Sequence, residues 1–270
     1  MKPTSATVES PAAAKPVNYF AHPAAALRYA VARPAAHPEV LPLLLAALRG
    51  HLPVARALDV GCGTGNSTVA LAPYARHIVG VDASSAMIAQ APLHPQVEYR
   101  KAHAEALPFR GGSFELVTVC SAYHWFDHER FLAEAARVLV PDGWLALYRI
   151  GSMGALPDRE DFACWKRETF RRRFPKVARS DEPMDEVKAA AFGFELVAGE
   201  SVRFTADYDL HRYVANLLTH SSVIRVVDGG EIPVAAARAW LEAELAPWFA
   251  GGELTFEHHA SAHVLRRVSP

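Results

Sequence analysis

Three glycines at alternate positions close an apolar run in "ALDVGCGTGNST": Gly61, Gly63 and Gly65. Such a loop lets a ligand approach the backbone, because no Cβ stands in the way. The residues before it, "ARALDV", read as a strand, and a helix begins near Asn66. Asp59 stands just ahead of the loop, and Asp82 closes the next strand, "HIVGVDA". Asp82 lies about twenty residues beyond the glycines, where a strand-end carboxylate can accept hydrogen bonds from both hydroxyls of a ribose. After a third strand, "AHAEALPF" puts Ala104 and Glu105 where a base could be sandwiched and its exocyclic amine read. A pyrophosphate fits poorly. The pattern G-x-G-x-x-G has Asn66 at its third position here, and Asp59 would set a negative charge near the phosphates. Adenosine joined to a cationic group suits all three places.

The elements that must position these residues alternate. "HPEVLPLLLAALRGHL" reads as a buried helix, with Pro38 near its start and Gly50 near its end. "NSTVALAPYA" and "SAMIAQA" read as helices, "VEYRKA" and "SFELVTVCSA" as strands. "DHERFLAEAARVL" reads as a helix ending at the turn "VPDG", and "WLALYRI" as a strand. This order implies an α/β fold, a doubly wound and mostly parallel sheet with helices on both faces. From about residue 152 to about 190, and again from about 207 to about 250, helical segments interrupt the pattern. "FELVAGESVRF" and the closing "ELTFEHHASAHVLRRV" read as strands.

The chain has 270 residues, 51% of them hydrophobic, with a net charge of −1. That is enough for a substantial core, and the balance lacks the basic surplus of a dedicated nucleic-acid binder. No apolar run approaches the ~20 residues of a membrane span. The three cysteines, Cys62, Cys120 and Cys164, are far apart and form no C-x-x-C pair. No disulfide framework or thiolate metal site is expected, and a cytoplasmic setting fits. Residues 1–18 read as a flexible leader, and residues 19–270 as one domain with a ligand-binding core at about 37–150.

Four stretches in order, "LDVGCGTG", "GVDAS", "AEALPF" and "FELVTVCSAYHWFD", resemble successive motifs of the class I S-adenosylmethionine-dependent methyltransferases. The type 11 small-molecule group is the nearest in pattern. The resemblance spans roughly Ala57 to Ile150, with a fainter echo in "LRYAVARPAAHPEVL". It implies the cofactor S-adenosylmethionine and a Rossmann-like seven-stranded sheet whose last strand is antiparallel. By the same resemblance Gly61, Gly63 and Gly65, with Cys62, pack against the methionine part, and Asp59 helps hold its ammonium. Asp82 binds the ribose, with Ala83 and Met87 beside it. Ala104 and Glu105 flank the adenine, and Cys120, Ser121 and Ala122 floor the sulfonium.

The remaining residues carry alternatives. Asp59 meets the cofactor directly or through water, braces the loop through backbone N–H groups, or does both, and Asp82 binds a ribose or caps a helix. Cys62 has no base beside it in the motif and reads as a packing residue. His124, in "SAYHWFD", is a general base, a substrate-orienting group or a structural histidine. Tyr19, Phe20, Tyr123, Trp125 and His220 are candidate acceptor contacts. The basic "FACWKRETFRRRFPKVAR" binds an acidic ligand, binds nucleic acid through Trp165 and Phe170, or is a solvated face. His258, His259 and His263 do not converge on one strand face, so no metal is expected. The expected activity is methyl transfer to a small molecule with no nucleic-acid or membrane partner. Oxygen, as carboxylate or hydroxyl, is the expected acceptor atom, and nitrogen, carbon or a non-catalytic cofactor-binding module are the alternatives.

Overall fold

A computed structural model describes residues 18–33, 37–151, 153–180 and 182–268. Most of the proposed leader therefore lies outside the described residues. In chain order the elements are α1 (Pro23–Ala32), α2 (His37–Leu44), β1 (Val54–Val60), α3 (Asn66–Ala70), β2 (Ala75–Asp82), α4 (Ser85–Ile88), β3 (Val97–Lys101) and β4 (Phe114–Cys120). They continue with α5 (His128–Val138), β5 (Leu139–Ile150), α6 (Glu160–Trp165), α7 (Arg171–Arg173), α8 (Glu186–Ala191) and β6 (Phe194–Tyr208). Three helices follow, α9 (Leu210–Leu217), α10 (Ser221–Asp228) and α11 (Val234–Phe249), and β7 (Leu254–Arg267) closes the chain.

The seven strands form one sheet in the order β3-β2-β1-β4-β5-β7-β6. β1 to β5 pair in parallel, and β7 runs antiparallel to both β5 and β6. The last strand is thus the reversed one, as the motifs implied. The central strands are buried almost throughout, which is why "ALDV" and "LVTVC" read as unbroken apolar runs. One apolar cluster, with Phe114, Phe131 and Val138, packs α5 onto one face. Another, with Leu41, Leu44 and Trp144, packs α2 onto the other.

Proline sets several helix limits. The helix expected over "HPEVLPLLLAALRGHL" carries Pro42 inside α2, ends at Leu44, and gives way to a 3-10 turn at Ala46–His51. Pro42 has no N–H to continue the helical bonding. α3 stops at Ala70, shorter than expected, because the approach to Pro73 disfavours helical backbone.

Two helical insertions cover the strand ends, as the break in alternation suggested. They share a third apolar cluster in which Phe162, Trp165, Phe170 and Phe174 pack against Tyr213, Leu241 and Phe256. The expected helix over "DLHRYVANLLTHSSVIRVV" is two, α9 and α10, broken at Leu218–His220. No described helix is long and apolar enough to cross a membrane.

Candidate active site

The chain leaves the sheet centre at β1, builds β2 and β3 outward, and returns to pair β4 with β1. Such a reversal opens a crevice at the strands' carboxyl ends. The cavity there has two lobes, of about 230 and about 150 Å³, both lined by Gly61, Gly63, Ser121 and Trp125.

The larger lobe brings Asp82, Ala83, Met87, Ala104 and Glu105 together, with Tyr19 and Phe20 across from them. Asp82 is tied to the glycine loop: Gly63 N–H donates to its Oδ2 at 2.9 Å and Ser84 N–H to its Oδ1 at 2.8 Å. Burial pushes its carboxyl above the ordinary range, and these two backbone donors oppose that rise. The cap of α4 is Ser84, whose Oγ accepts from Met87 N–H at 3.2 Å, so Asp82 is not the capping residue. Ser84 Oγ also donates to the Phe20 carbonyl at 2.8 Å, fixing the N-terminal segment over the lobe. Glu105 lines the lobe while its Oε1 accepts from Asp127 N–H at 3.0 Å.

The loop needs its glycines for different reasons. Gly61 has φ +72°, and a Cβ there would stand 2.5 Å from the Ala122 Cβ, against the cavity floor. Gly65 has φ +80°, and a Cβ there would collide with the Tyr99 hydroxyl. Gly65 therefore serves packing on the far side of the loop and does not line the cavity, contrary to its expected place against the ligand.

Asp59 is a second departure, from direct contact with the ligand. It is completely buried beneath the loop and lines neither lobe. Its carboxylate accepts from the hydroxyls of Ser67 at 2.6 Å, Thr68 at 2.8 Å and Thr118 at 3.0 Å. It ties α3 and β4 to β1, through side-chain hydroxyls rather than the backbone N–H groups expected of a loop brace. Burial raises its pKa to about 6 against the pull of the three hydroxyls. Tyr123 is a third. Its ring stacks on His128 at 3.9 Å between centroids and lines neither lobe.

The smaller lobe holds Cys62, Cys120, His124, Trp125 and His220. Burial pushes the Cys62 thiol far up and the Cys120 thiol up to about 12, so both stay protonated and neither is an activated nucleophile. His124 packs 4.7 Å from Trp125 between ring centroids, and its carbonyl accepts from Ser180 N–H at 3.1 Å. Ser121, at the junction of the lobes, has φ +52°, and its Oγ accepts from Ile150 N–H at 3.1 Å. A left-handed serine is strained, and such strain collects at functional sites. Tyr19 and Phe20 lie 5.9 and 6.2 Å from Trp125, completing an aromatic roof.

The sequence pointed to only part of the charge in this lobe. Arg33, Arg149 and Arg179 line it, and none of the described side chains lining it is acidic. Arg149 ends β5 at the same edge as Asp82 and Ser121, so counting strand ends would have found it. Arg33 arrives by packing of α1, which leaves no local pattern, whereas Arg179 closes the basic segment already read as able to bind an acidic ligand. The basic segment is now divided: Trp165 and Phe170 are buried in the insertion core, out of reach of any base, and only its end, Arg179, reaches the cavity. In β7, His258 is buried and its Nδ1 lies 2.8 Å from the Gly151 carbonyl, while His259 Nε2 lies 2.6 Å from Ser201 Oγ. Among the described residues no three His, Cys, Asp or Glu side chains gather as metal ligands.

Comparison with known proteins agrees with this geometry. Residues 58–147 match the methyltransferase domain family. An uncharacterized methyltransferase of Mycobacterium bovis is 31% identical over 189 residues, covering 66% of this chain and 75% of that protein. A candidate methyltransferase of Dictyostelium discoideum is 38% identical over 97 residues, but the match spans only 36% of this chain and 37% of the relative. A trans-aconitate 2-methyltransferase of Deinococcus radiodurans is 38% identical over 109 residues, covering 38% of this chain and 41% of that enzyme. Among solved structures, a candidate type II methyltransferase from Anaeromyxobacter dehalogenans superposes with a TM-score of 0.63 at 22% identity, over 88% of this chain and 97% of that one.

Proposed function

We infer the reaction from two premises: the chain belongs to the class I S-adenosylmethionine-dependent methyltransferases, and among the described residues the cavity wall beyond its glycine loop carries arginines and no carboxylate. The proposed activity is transfer of a methyl group to a carboxylate oxygen of a small anionic molecule. The arginine-lined lobe is the observation that carries the choice of acceptor. The Deinococcus relative, named for methylation of trans-aconitate, supports it from a separate direction.

The residues present fit the cofactor. Gly61 and Gly63 leave bare backbone facing both lobes. Each Asp82 oxygen takes one backbone N–H and keeps a lone pair for a ribose hydroxyl. Ala83, Met87, Ala104 and Glu105 would enclose the base, and Ser121 with Trp125 would border the sulfonium. When bound, S-adenosylmethionine supplies an electrophilic methyl on a cationic sulfur that departs as a neutral thioether.

The protein's contribution is alignment and dryness. The aromatic roof of Tyr19, Phe20 and Trp125 shuts water out and turns π faces toward positive charge. Holding acceptor and methyl in line is worth several kcal/mol without any change of bonding chemistry, roughly 7 or more where the geometry is tight. A carboxylate is ionised at neutral pH and needs no base. His124 then orients the acceptor from the wall beside Trp125. A hydroxyl acceptor is the second reading, favoured by His124 lining the acceptor lobe, where it would take the hydroxyl proton.

The experiment is an acceptor screen with purified protein and S-adenosylmethionine, read by mass spectrometry across carboxylates, phenols and amines. Carboxylate products support the reading, and turnover confined to phenols or amines overturns it.

A further inference from the structure

Three histidine rings line the smaller lobe, those of His37, His124 and His220. His37, the first residue of α2, is tied to the sheet. Its Nδ1 lies 3.5 Å from the Tyr148 hydroxyl, and the two rings meet edge to face with 6.2 Å between centroids. Tyr148 lies on β5 in register with Cys120 of β4, and its carbonyl accepts from Ser121 N–H at 2.8 Å. One side-chain contact and one backbone bond therefore connect the imidazole to Ser121, the residue at the junction of the two lobes.

The same contact decides which ring nitrogen carries the proton. Tyr148 is buried, so its hydroxyl proton needs an acceptor within the protein. Its neighbours are the imidazole and the Cys120 thiol. A thiol sulfur is a weak acceptor and an imidazole nitrogen a good one. The phenol proton therefore goes to Nδ1, and the ring's own proton sits on Nε2. Among the described residues nothing hydrogen-bonds to that Nε2. Burial lowers the His37 pKa to about 4, so at neutral pH the ring is an uncharged N–H donor. His220 offers similar chemistry, with Nδ1 3.0 Å from Ser222 Oγ, but its anchor is a hydroxyl two residues along its own chain and not the sheet.

We propose that His37 holds the acceptor: its Nε2–H donates to the carboxylate oxygen that does not react, and Tyr148 is the positioning residue that fixes the ring's proton and direction. The proposal rests on the carboxylate reading of the acceptor. In the transfer the other oxygen forms its bond to the methyl carbon as the carbon–sulfur bond breaks, and that electron pair leaves with sulfur. No proton moves, so His37 holds and does not shuttle. An uncharged donor suits the task. It turns the carboxylate toward the methyl while drawing off less of its negative charge than a guanidinium on the same group would.

The test uses the full chain, S-adenosylmethionine and the best carboxylate of the acceptor screen, with succinate the first offered. S-adenosylhomocysteine affinity, from calorimetry, checks that each variant keeps its fold. His37→Ala should lower kcat/KM for that carboxylate at least about tenfold. His37→Gln, whose amide reaches about as far as Nε2, should restore part of the loss. Tyr148→Phe should lower kcat/KM by about threefold or more with S-adenosylhomocysteine affinity kept. A separate reading comes from nitrogen-15 NMR of the parent protein labelled at histidine, with the His37 signals identified by their absence in His37→Gln. The proposal expects a protonated Nε2 and a bare Nδ1 in the parent, and a mixture of tautomers in Tyr148→Phe. Turnover within about twofold of the parent in both His37 variants would overturn the proposal while leaving carboxylate methylation standing. A proton on Nδ1 in the parent would overturn it equally. If no carboxylate is methylated and a phenol or amine is, the reading beneath the proposal falls, and the proposal falls with it.

Discussion

Gly63 and Asp82 are joined by a hydrogen bond of 2.9 Å from backbone N–H to carboxylate, so the loop after β1 and the end of β2 form one unit. The carboxylate holds the loop closed from one side and faces the larger lobe from the other. Asp82→Ala removes both functions. S-adenosylhomocysteine binding, measured by calorimetry, should weaken by more than about tenfold, the value of a lost charge-assisted contact. Asp82→Asn keeps an oxygen for one backbone donor and should lie between parent and alanine variant. Equal binding by all three would remove Asp82 from the site.

Gly61 is the position where the loop touches the floor. Gly61→Ala combines a left-handed alanine with a Cβ set 2.5 Å from that of Ala122. The two effects together should cost roughly 2–4 kcal/mol in urea unfolding. Cofactor binding should fall as well, since Ala122 lines the larger lobe. A stable variant with undiminished binding would mean that the floor yields and that the loop does not set its shape.

Asp59 links stability to pH with a definite sign. Its folded pKa of about 6 lies above the ordinary 3.8, so between those values the folded protein binds this proton more tightly than the unfolded chain. Stability contributed by this group therefore falls as pH rises through that window and is level above it. Asp59→Asn removes the titration. The unfolding free energy of the parent should drop by about 2–3 kcal/mol more than that of the variant between pH 4 and pH 7. Parallel pH dependences would show that the three hydroxyls fully offset the burial of the charge.

His220 shifts the other way. With a folded pKa of about 3 it stays neutral while a free histidine of 6.5 would charge, so its share of stability is lost as the solution is acidified below that ordinary value. In catalysis the ring should not titrate at all between pH 5 and pH 8. His220→Asn should lower kcat/KM several-fold by removing a neutral donor, and leave the shape of the pH profile unchanged. A limb of the profile that vanishes in the variant would mean that His220 carries charge in the working enzyme.

The alternation of apolar runs and helices was legible because the buried parallel strands leave no polar face to blur it, as in "LDV" and "LVTVC". The residues Asp82, Ala104, Glu105 and Ser121 were legible because each follows a strand end, and the strand ends face one crevice. Asp59 and Gly65 share the same motif but face inward, toward hydroxyls and toward Tyr99, and spacing alone does not reveal the direction of a side chain. Arg33 was out of reach for a different reason. Its place depends on how α1 packs over the sheet, a long-range arrangement with no local periodicity, whereas Arg179 ends a segment whose charge was visible in the sequence.

The most direct test supplies S-adenosylmethionine with an isotopically labelled methyl group to the purified protein and succinate, and then treats the product with mild alkali. The account predicts a labelled monomethyl product that releases its label as methanol, the behaviour of an ester, and loss of that product in Asp82→Ala. A labelled product that survives alkali, or label that moves only to a phenol or amine offered in competition, would contradict carboxylate methylation and return the acceptor to the hydroxyl or nitrogen readings.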